Sequence, residues 1–310
     1  MKTEDIDMDL INLQIMMFIL MGVGILLRKK NIIDNAGKKT ITDLVIMVFL
    51  PCSIVNAFSI EFSIDILKSA ITIFIISILI QLGCTLISRT CYKKISKEQR
   101  IVLQYGTVCS NAGFLGNPVA EGVYGSMGLL YASFYLVPQR IVMWSAGLSY
   151  FTQSPNKKTV IKKIIMHPCI IATMIGLFLM ISQISLPVFL SSTNAIIGGC
   201  TTAISMILIG TILADADLKT MISKTTLIFS LIRLIIIPAL VFIPCLLLRI
   251  DPLIMGVAVV LAAMPAGSTT AILAEKYDGD AEFASKCVVL TTILSMLVVP
   301  IWCTIVKVVS

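Results

Sequence analysis

A polar, helix-breaking stretch interrupts an apolar run in the first half of the chain. The run extends from about residue 101 to 123, and the stretch within it contains Asn111, Gly113, Gly116, Asn117 and Pro118. Glycine and proline both disfavour a helix interior, and proline also removes a backbone donor. Asparagine amides beside freed backbone groups can hydrogen-bond a carboxylate, so this stretch is a candidate anion-binding site.

The pair Asn117-Pro118 predicts the start of a new helix. Asparagine is a favoured N-cap, and proline fits the first helical position. We expect Asn111 and Asn117 to contact a carboxylate there, because the positive end of a helix dipole favours anions. Alternatively, both amides only satisfy the broken backbone. A buried amide without a partner costs about 1–3 kcal/mol, so each needs one role or the other.

A second break occupies a similar place in the other half of the chain. It lies within residues 252–274 and contains Pro265, Gly267, Ser268 and Thr269. Hydroxyls in helices commonly bond their own backbone, so ligand binding and a local structural role both stay open for Ser268 and Thr269. The glycines of the two breaks are expected mainly to allow close approach of the backbones.

Four further residues are candidates for substrate binding. Arg140 and Arg233 lie within apolar runs, where an ionisable group is a functional-site hypothesis by default. Each arginine could balance an anion or could instead bind the loose carbonyls at the breaks. Ser53 and Asn56, next to Pro51, could line an opposing wall, although Asn56 could equally be an interfacial residue.

Composition places the chain in the membrane. Hydrophobic residues make up 57% of 310 and charged residues 13%, with a mean hydropathy of +0.99. Soluble domains carry about 25% charged residues. The single histidine excludes a two-histidine zinc site, and no HExxH motif is present. We therefore predict an integral membrane protein that is not an enzyme and has no catalytic residues, metal or cofactor.

Apolar runs of about 20 residues, enough to cross the hydrocarbon core, predict an all-α protein with ten transmembrane helices. The predicted spans are 8–27, 40–58, 65–88, 101–123, 126–151, 164–182, 188–213, 225–248, 252–274 and 282–306. The breaks fall in the fourth and ninth spans. Interrupted spans in corresponding positions of two halves point to a transport site at the midplane of the membrane.

The basic residues predict the orientation. Most of the 24 lysines and arginines fall in the loops after the first, third, fifth, seventh and ninth spans. The positive-inside rule puts these loops in the cytoplasm and both termini outside. The net charge of +7 is therefore mainly a topology signal and does not indicate a nucleic-acid partner.

Five spans in each half imply that a repeated half enters the membrane in the opposite orientation. Residues 1–155 would form the first five-helix repeat and residues 156–310 the second. After each break come a glutamate, a tyrosine and a glycine in that order: Glu121, Tyr124 and Gly125, then Glu275, Tyr277 and Gly279. We expect an inverted five-plus-five repeat whose broken helices cross.

The sequence resembles the auxin efflux carrier family over its whole length. The most specific part is the block Ala263-Met264-Pro265-Ala266-Gly267-Ser268, and the break at 111–118, the pair Leu50-Pro51 and the tail up to Pro300-Ile301-Trp302 are also similar. The family includes plant auxin exporters and bacterial carriers of malate, malonate and other organic acids. This chain lacks the long central loop of many plant members, which favours a short bacterial-type carrier.

The resemblance implies a fold similar to that of the bile-acid/sodium symporters and sodium/proton antiporters. It implies a scaffold domain from spans 1, 2, 6 and 7 and a transporter domain from spans 3–5 and 8–10. Pro138-Gln139-Arg140 departs from the family pattern, so substrate preference does not carry over.

We expect a multi-pass carrier of the plasma membrane that moves small organic anions by elevator-type alternating access. Outward transport is implied by the resemblance alone. The expected partners are the organic anion and the lipid bilayer, with a homodimer left open. The alternatives are a sodium- or proton-coupled symporter on the same fold and a membrane receptor or channel that binds the same ligand.

Overall fold

Helices fill most of the chain in the computed structural model, which describes residues 3–151, 157–215, 221–277 and 279–309. Over these residues no β-strand forms, and one isolated bridge joins Ser110 to Ala266. The first half contains α1 (Thr3–Lys29), α2 (Asn35–Leu44), α3 (Leu50–Ala57), α4 (Ile64–Cys91), α5 (Lys97–Val108), α6 (Asn117–Val142) and α7 (Leu148–Phe151).

The described part of the second half contains nine further helices. These are α8 (Lys157–Ile165), α9 (Pro168–Ser182), α10 (Val188–Gly199), α11 (Thr201–Ala214), α12 (Lys224–Leu231), α13 (Ile237–Leu247), α14 (Pro252–Ala262), α15 (Thr269–Lys276) and α16 (Ala281–Val309). Four π-helical turns connect some of them: Val45–Phe49, Ala112–Gly116, Met143–Gly147 and Ile232–Ile236. Such turns are frequent at functional sites, because they shift the helical hydrogen-bond register.

Helices occupy every predicted span. By length and apolar composition, five segments of the described chain could cross a membrane, or six if α8 and α9 form one broken span. The five are Asn35–Ala57, Ile64–Cys91, Val188–Ala214, Lys224–Leu247 and Ala281–Val309. The chain is thus an all-helical, multi-pass membrane protein. The predicted fourth and fifth spans share α6, whose backbone leaves helical geometry at Gly125 (φ 65°, ψ −159°), between their predicted ends.

Side-chain caps explain several helix starts. Asp251 precedes Pro252 and accepts hydrogen bonds from the backbone amides of Leu253 and Ile254, at 2.9 and 3.2 Å. The Oγ of Ser223 accepts one from the amide of Thr226 at 3.1 Å. Caps of this kind satisfy amides that have no partner within the helix.

The chain divides into two compact units, each with residues from both halves. The first unit comprises residues 1–70, 117–133 and 166–216, and the second comprises residues 71–116, 134–165 and 217–310. In the first unit α1 packs against α11 through glycines. A Cβ added to Gly24 would overlap the carbonyl of Ile207, and one added to Gly210 would overlap the carbonyl of Met21. The two backbones therefore touch, as in glycine-mediated helix pairs of membranes.

An ion cluster joins the ends of α1, α2 and α11 in the first unit. Asp215 accepts hydrogen bonds from the Nε of Arg28 at 2.7 Å and the Nζ of Lys38 at 2.9 Å. Partial burial raises the pKa of Asp215, but the hydrogen bonds from the two cations outweigh it and hold the pKa below its usual range.

The second unit has a partly open apolar cavity of about 240 Å³ between α4 and α13. Ile80, Gly83 and Cys84 line one side, and Val241 and Cys245 line the other. The cavity holds little polar surface, so it lacks the groups that a carboxylate needs. The polar groups of the second unit gather instead where α5 and α14 end.

Candidate functional site

The helices α5 and α14 both stop inside the second unit, and the unwound segments that follow them pair with each other. The amide of Asn111 donates to the carbonyl of Pro265 at 2.8 Å, and the amide of Gly267 donates to the carbonyl of Cys109 at 2.9 Å. This antiparallel bridge satisfies groups that a continuous helix would have paired internally. Buried backbone groups within a membrane need such partners, so the two breaks stabilise each other.

Three side chains complete the hydrogen bonding of the bridge. Gln139 of α6 donates from Nε2 to the carbonyl of Ser110 at 2.8 Å and accepts from the Ser110 hydroxyl at 3.2 Å. The Oγ1 of Thr291 accepts from the amide of Ala266 at 3.2 Å. The Tyr105 hydroxyl donates to Thr269 at 3.2 Å, so this predicted site residue is held by α5.

Two glycines allow the breaks to approach. A Cβ on Gly116 would lie 2.6 Å from Cδ2 of Leu261 and 3.1 Å from Cγ of Met264. A Cβ on Gly267 would lie 3.1 Å from the carbonyl oxygen of Cys109. The nearest neighbours of Gly267 are backbone oxygens, as close backbone approach requires, whereas the neighbours of Gly116 are side chains.

The prediction that Asn117 caps a restarting helix is wrong. The carbonyl of Asn111 already accepts hydrogen bonds from the amides of Leu115 and Gly116, at 3.0 and 3.3 Å. Helical bonding thus resumes with the π-turn Ala112–Gly116, and α6 continues from it with Pro118 in its first turn. The Asn117 side chain, 1% exposed, makes no capping bond, and neither its Oδ1 nor its Nδ2 has a partner among the described residues.

Both intramembrane arginines are buried in the second unit. Arg140 is 5% exposed, and its Nη1 has no partner among the described residues. Its Nη2 would lie 3.9 Å from a Cβ added to Gly113. Arg233 is 3% exposed, sits in the π-turn Ile232–Ile236, and its Nε also has no partner there. Neither arginine forms a salt bridge within the described residues.

The surroundings of Arg233 are neutral at physiological pH. The groups within electrostatic range of its guanidinium are the thiols of Cys84 and Cys109 and the phenols of Tyr92 and Tyr135. Cys109 is the first residue of the break, so this cation interacts electrostatically with a residue of the backbone bridge. A buried charge without a counter-charge is strongly unfavourable, and an anion near the bridge would remove that penalty.

The other predicted residues take separate positions. Ser53 and Asn56 lie on α3 in the first unit, where Asn56 donates to the carbonyl of Asn194 at 3.1 Å. Asn194 donates in return to the carbonyl of Cys52 at 3.0 Å and to the side chain of Asn56. The amides therefore clamp α3 to α10. Ser268 precedes α15 and forms no capping bond.

Sequence reasoning did not connect the groups that hold the bridge with the two breaks. Gln139 and Thr291 come from α6 and α16, remote in sequence from the segments they contact. Thr270 was also missed, and its buried hydroxyl has no partner among the described residues. For Gln139, the sequence did contain a signal of a special role. Gln139 and Arg140 are polar residues inside the apolar run that forms α6. Within the described residues, no group of three or more histidine, cysteine or acidic side chains is placed to hold a metal ion.

Comparison with known proteins places the chain in a family. A model of the membrane transport protein family, which contains the auxin efflux carriers, matches residues 10–303. An uncharacterized transporter of Methanothermobacter thermautotrophicus is 30% identical over 195 residues, which is 62% of this chain and 63% of that protein. An uncharacterized transporter of Methanocaldococcus jannaschii is 25% identical over 299 residues, 93% of this chain and 96% of that protein. With the model covering nearly its whole length, the chain belongs to the membrane transport protein family of the auxin efflux carriers.

Proposed function

We propose that this transporter is a secondary carrier of small organic anions. The observation that carries the proposal is the pair of buried guanidinium groups, each with an unpaired nitrogen and no salt bridge among the described residues. Arg140 lies beside Gly113, and Arg233 interacts electrostatically with Cys109, so each guanidinium acts on a residue of the first break. A carboxylate is the ligand that fits a guanidinium best, because it can accept two parallel hydrogen bonds.

The substrate contacts that we propose are those the sequence pointed to. Within the second unit, Arg140, Arg233 and the side chain of Asn111 would bind the anion, with Ser268 and Thr269 as hydroxyl donors. Asn117 would add its amide, which has no other partner among the described residues. Gly116, Pro118, Pro265 and Gly267 would shape the backbone. Ser53 stays a predicted contact, whereas the side chain of Asn56 is already bonded to Asn194.

We further propose ten spans arranged as an inverted repeat, with elevator-type alternating access across the plasma membrane. The presence of helices in every predicted span and the pairing of the two breaks support this arrangement. Spans 1, 2, 6 and 7 would form the scaffold. The first unit contains the helices of these spans, but it also contains residues 117–133, which belong to the predicted fourth and fifth spans. A homodimer remains an expectation of the sequence. Outward transport follows from family resemblance.

The proposal predicts saturable, potential-driven flux in liposomes. The predicted spans contain no aspartate, glutamate or histidine in their central portions, so we expect uniport of the anion without proton coupling. An inside-negative potential then favours exit by about 2.3 kcal/mol per charge per 100 mV. With radiolabelled malate or malonate, flux should saturate, show trans-stimulation and respond to a potassium–valinomycin potential.

The same liposomes separate the alternatives. Uphill accumulation driven by a sodium or pH gradient at zero potential would contradict uniport and support a symporter. Flux without saturation or trans-stimulation would indicate a channel, and binding without flux would indicate a receptor. The variant Arg233→Met tests whether this guanidinium binds the anion, and we expect it to lose the flux. It should still fold normally, because a well-packed apolar side chain often replaces a buried charge without loss of stability.

The basic residues predict the orientation of the termini. In a cysteine-free background, single cysteines at positions 2 and 308 should react with an impermeant maleimide added outside intact cells. A cysteine at position 157 should react only after the membrane is opened, because the basic loops are expected inside. External labelling at position 157 would contradict the ten-span topology.

A further inference from the structure

The short helix α8 carries four lysines and no acidic residue in nine positions: Lys157, Lys158, Lys162 and Lys163. It packs on the second unit through one side. Val160 is buried, and the Nζ of Lys163 lies 4.8 Å from the ring centre of Trp144, a cation–π contact. The opposite side of the helix is exposed, and it contains both apolar and basic side chains.

The exposed side of α8 has the arrangement of a helix that lies in a membrane surface. At 100° per residue, Ile161 and Ile165 fall next to each other, and Lys158 and Lys162 fall directly beside them. Ile161 is 55% exposed and Ile165 is 63% exposed, and Met166 follows them at 59%. The exposed arc therefore has an apolar edge and a basic edge, side by side.

These two edges fit the two layers of a bilayer interface. The isoleucine edge can enter the boundary of the acyl chains, while the long lysine stems carry their ammonium groups to the headgroups. Trp144 contacts Lys163 of α8, and tryptophan is enriched at the interface between membrane and water. Acidic side chains are absent from the helix, so nothing on it would repel an anionic lipid.

We propose that α8 is an interfacial helix that binds the headgroups of anionic phospholipids in the cytoplasmic leaflet. The lysines favour an anionic ligand, and the exposed isoleucines beside them favour a ligand that also has apolar chains. The basic loop that contains α8 is predicted to be cytoplasmic, where anionic lipids attract basic segments next to the membrane. Lipid binding by α8 is independent of what the protein carries.

The test compares anionic and neutral lipid with full-length protein in detergent. Phosphatidylglycerol should raise the unfolding temperature more than phosphatidylcholine does, because a ligand of the folded state stabilises it by mass action. K158Q/K162Q should weaken phosphatidylglycerol binding about fivefold for each lysine removed. In K162Q alone, the unfolding temperature without added lipid should stay unchanged, because the Lys162 side chain is exposed.

The matched control is K29Q/K30Q, which removes the same charge from exposed lysines that follow the first span on the same predicted side. This variant should keep the full response to phosphatidylglycerol. An equal loss in the two variants would overturn the proposal, because it would reflect net charge alone. Equal stabilisation by the two lipids, or the same effect from soluble glycerol phosphate, would also overturn it.

Discussion

Asn117→Ala should abolish transport while the folded yield stays close to that of the wild type. The Asn117 side chain is almost fully buried, and neither of its polar atoms has a partner among the described residues. Its removal therefore takes no capping or interhelical bond from the fold. Hydrogen bonds to a charged ligand are worth about 1.5–3 kcal/mol each, so losing two should slow transport roughly 100-fold or more.

The measurement is initial flux of the transported acid into liposomes at equal amounts of folded protein. Asn194→Ala is the control, because this asparagine is part-buried and, unlike Asn117, is bonded to Cys52 and Asn56 on α3. It should lower the folded yield and the unfolding temperature, since it leaves part-buried polar groups of α3 without their partner. Wild-type flux in Asn117→Ala would exclude this amide from the binding site.

Gly210→Ala should destabilise the protein, although alanine is the better helix former by about 1 kcal/mol. The new methyl group would overlap the carbonyl of Met21, which belongs to the backbone of α1 and cannot rotate away. The two helices would have to separate, and overpacking of this kind costs about 1–3 kcal/mol. The same result is expected for Gly24→Ala, whose methyl would overlap the carbonyl of Ile207.

Gly22→Ala supplies the control on the same helix, since no atom lies within 4 Å of its Cβ position. Thermal unfolding in detergent should show a lower midpoint for the variants at positions 24 and 210. The variant at position 22 should be unchanged or slightly more stable. Equal midpoints in all three variants would mean that α1 and α11 do not pack through these glycines.

Composition and local spacing alone predicted the membrane class, the positions of the helical segments and the two breaks. Those features follow from chemistry that neighbouring residues share. An apolar run of about 20 residues spans a bilayer wherever it occurs. A proline closely followed by a glycine interrupts a helix in most contexts, so the second break lies where Pro265 and Gly267 predicted it.

The start of the helix after the first break could not be predicted in the same way. Asn117-Pro118 has the local pattern of a capped start, but helical bonding already resumes at Asn111. The reason is tertiary, because the backbone of Asn111 is anchored by Pro265 from the other half of the chain. That anchor fixes where the unwound segment ends, and so it frees Asn117 from the role that its sequence context suggested.

The partners of the breaks were likewise decided by the tertiary structure. Gln139 and Thr291 satisfy the paired segments from α6 and α16, and no local pattern connects them with Ser110 or Ala266. Asn56 differs from them, because the sequence predicted that it binds substrate, but its side chain is bonded to Asn194. Local sequence determines which residues can form a hydrogen bond within the membrane, whereas packing of distant helices determines which of them remain free for a ligand.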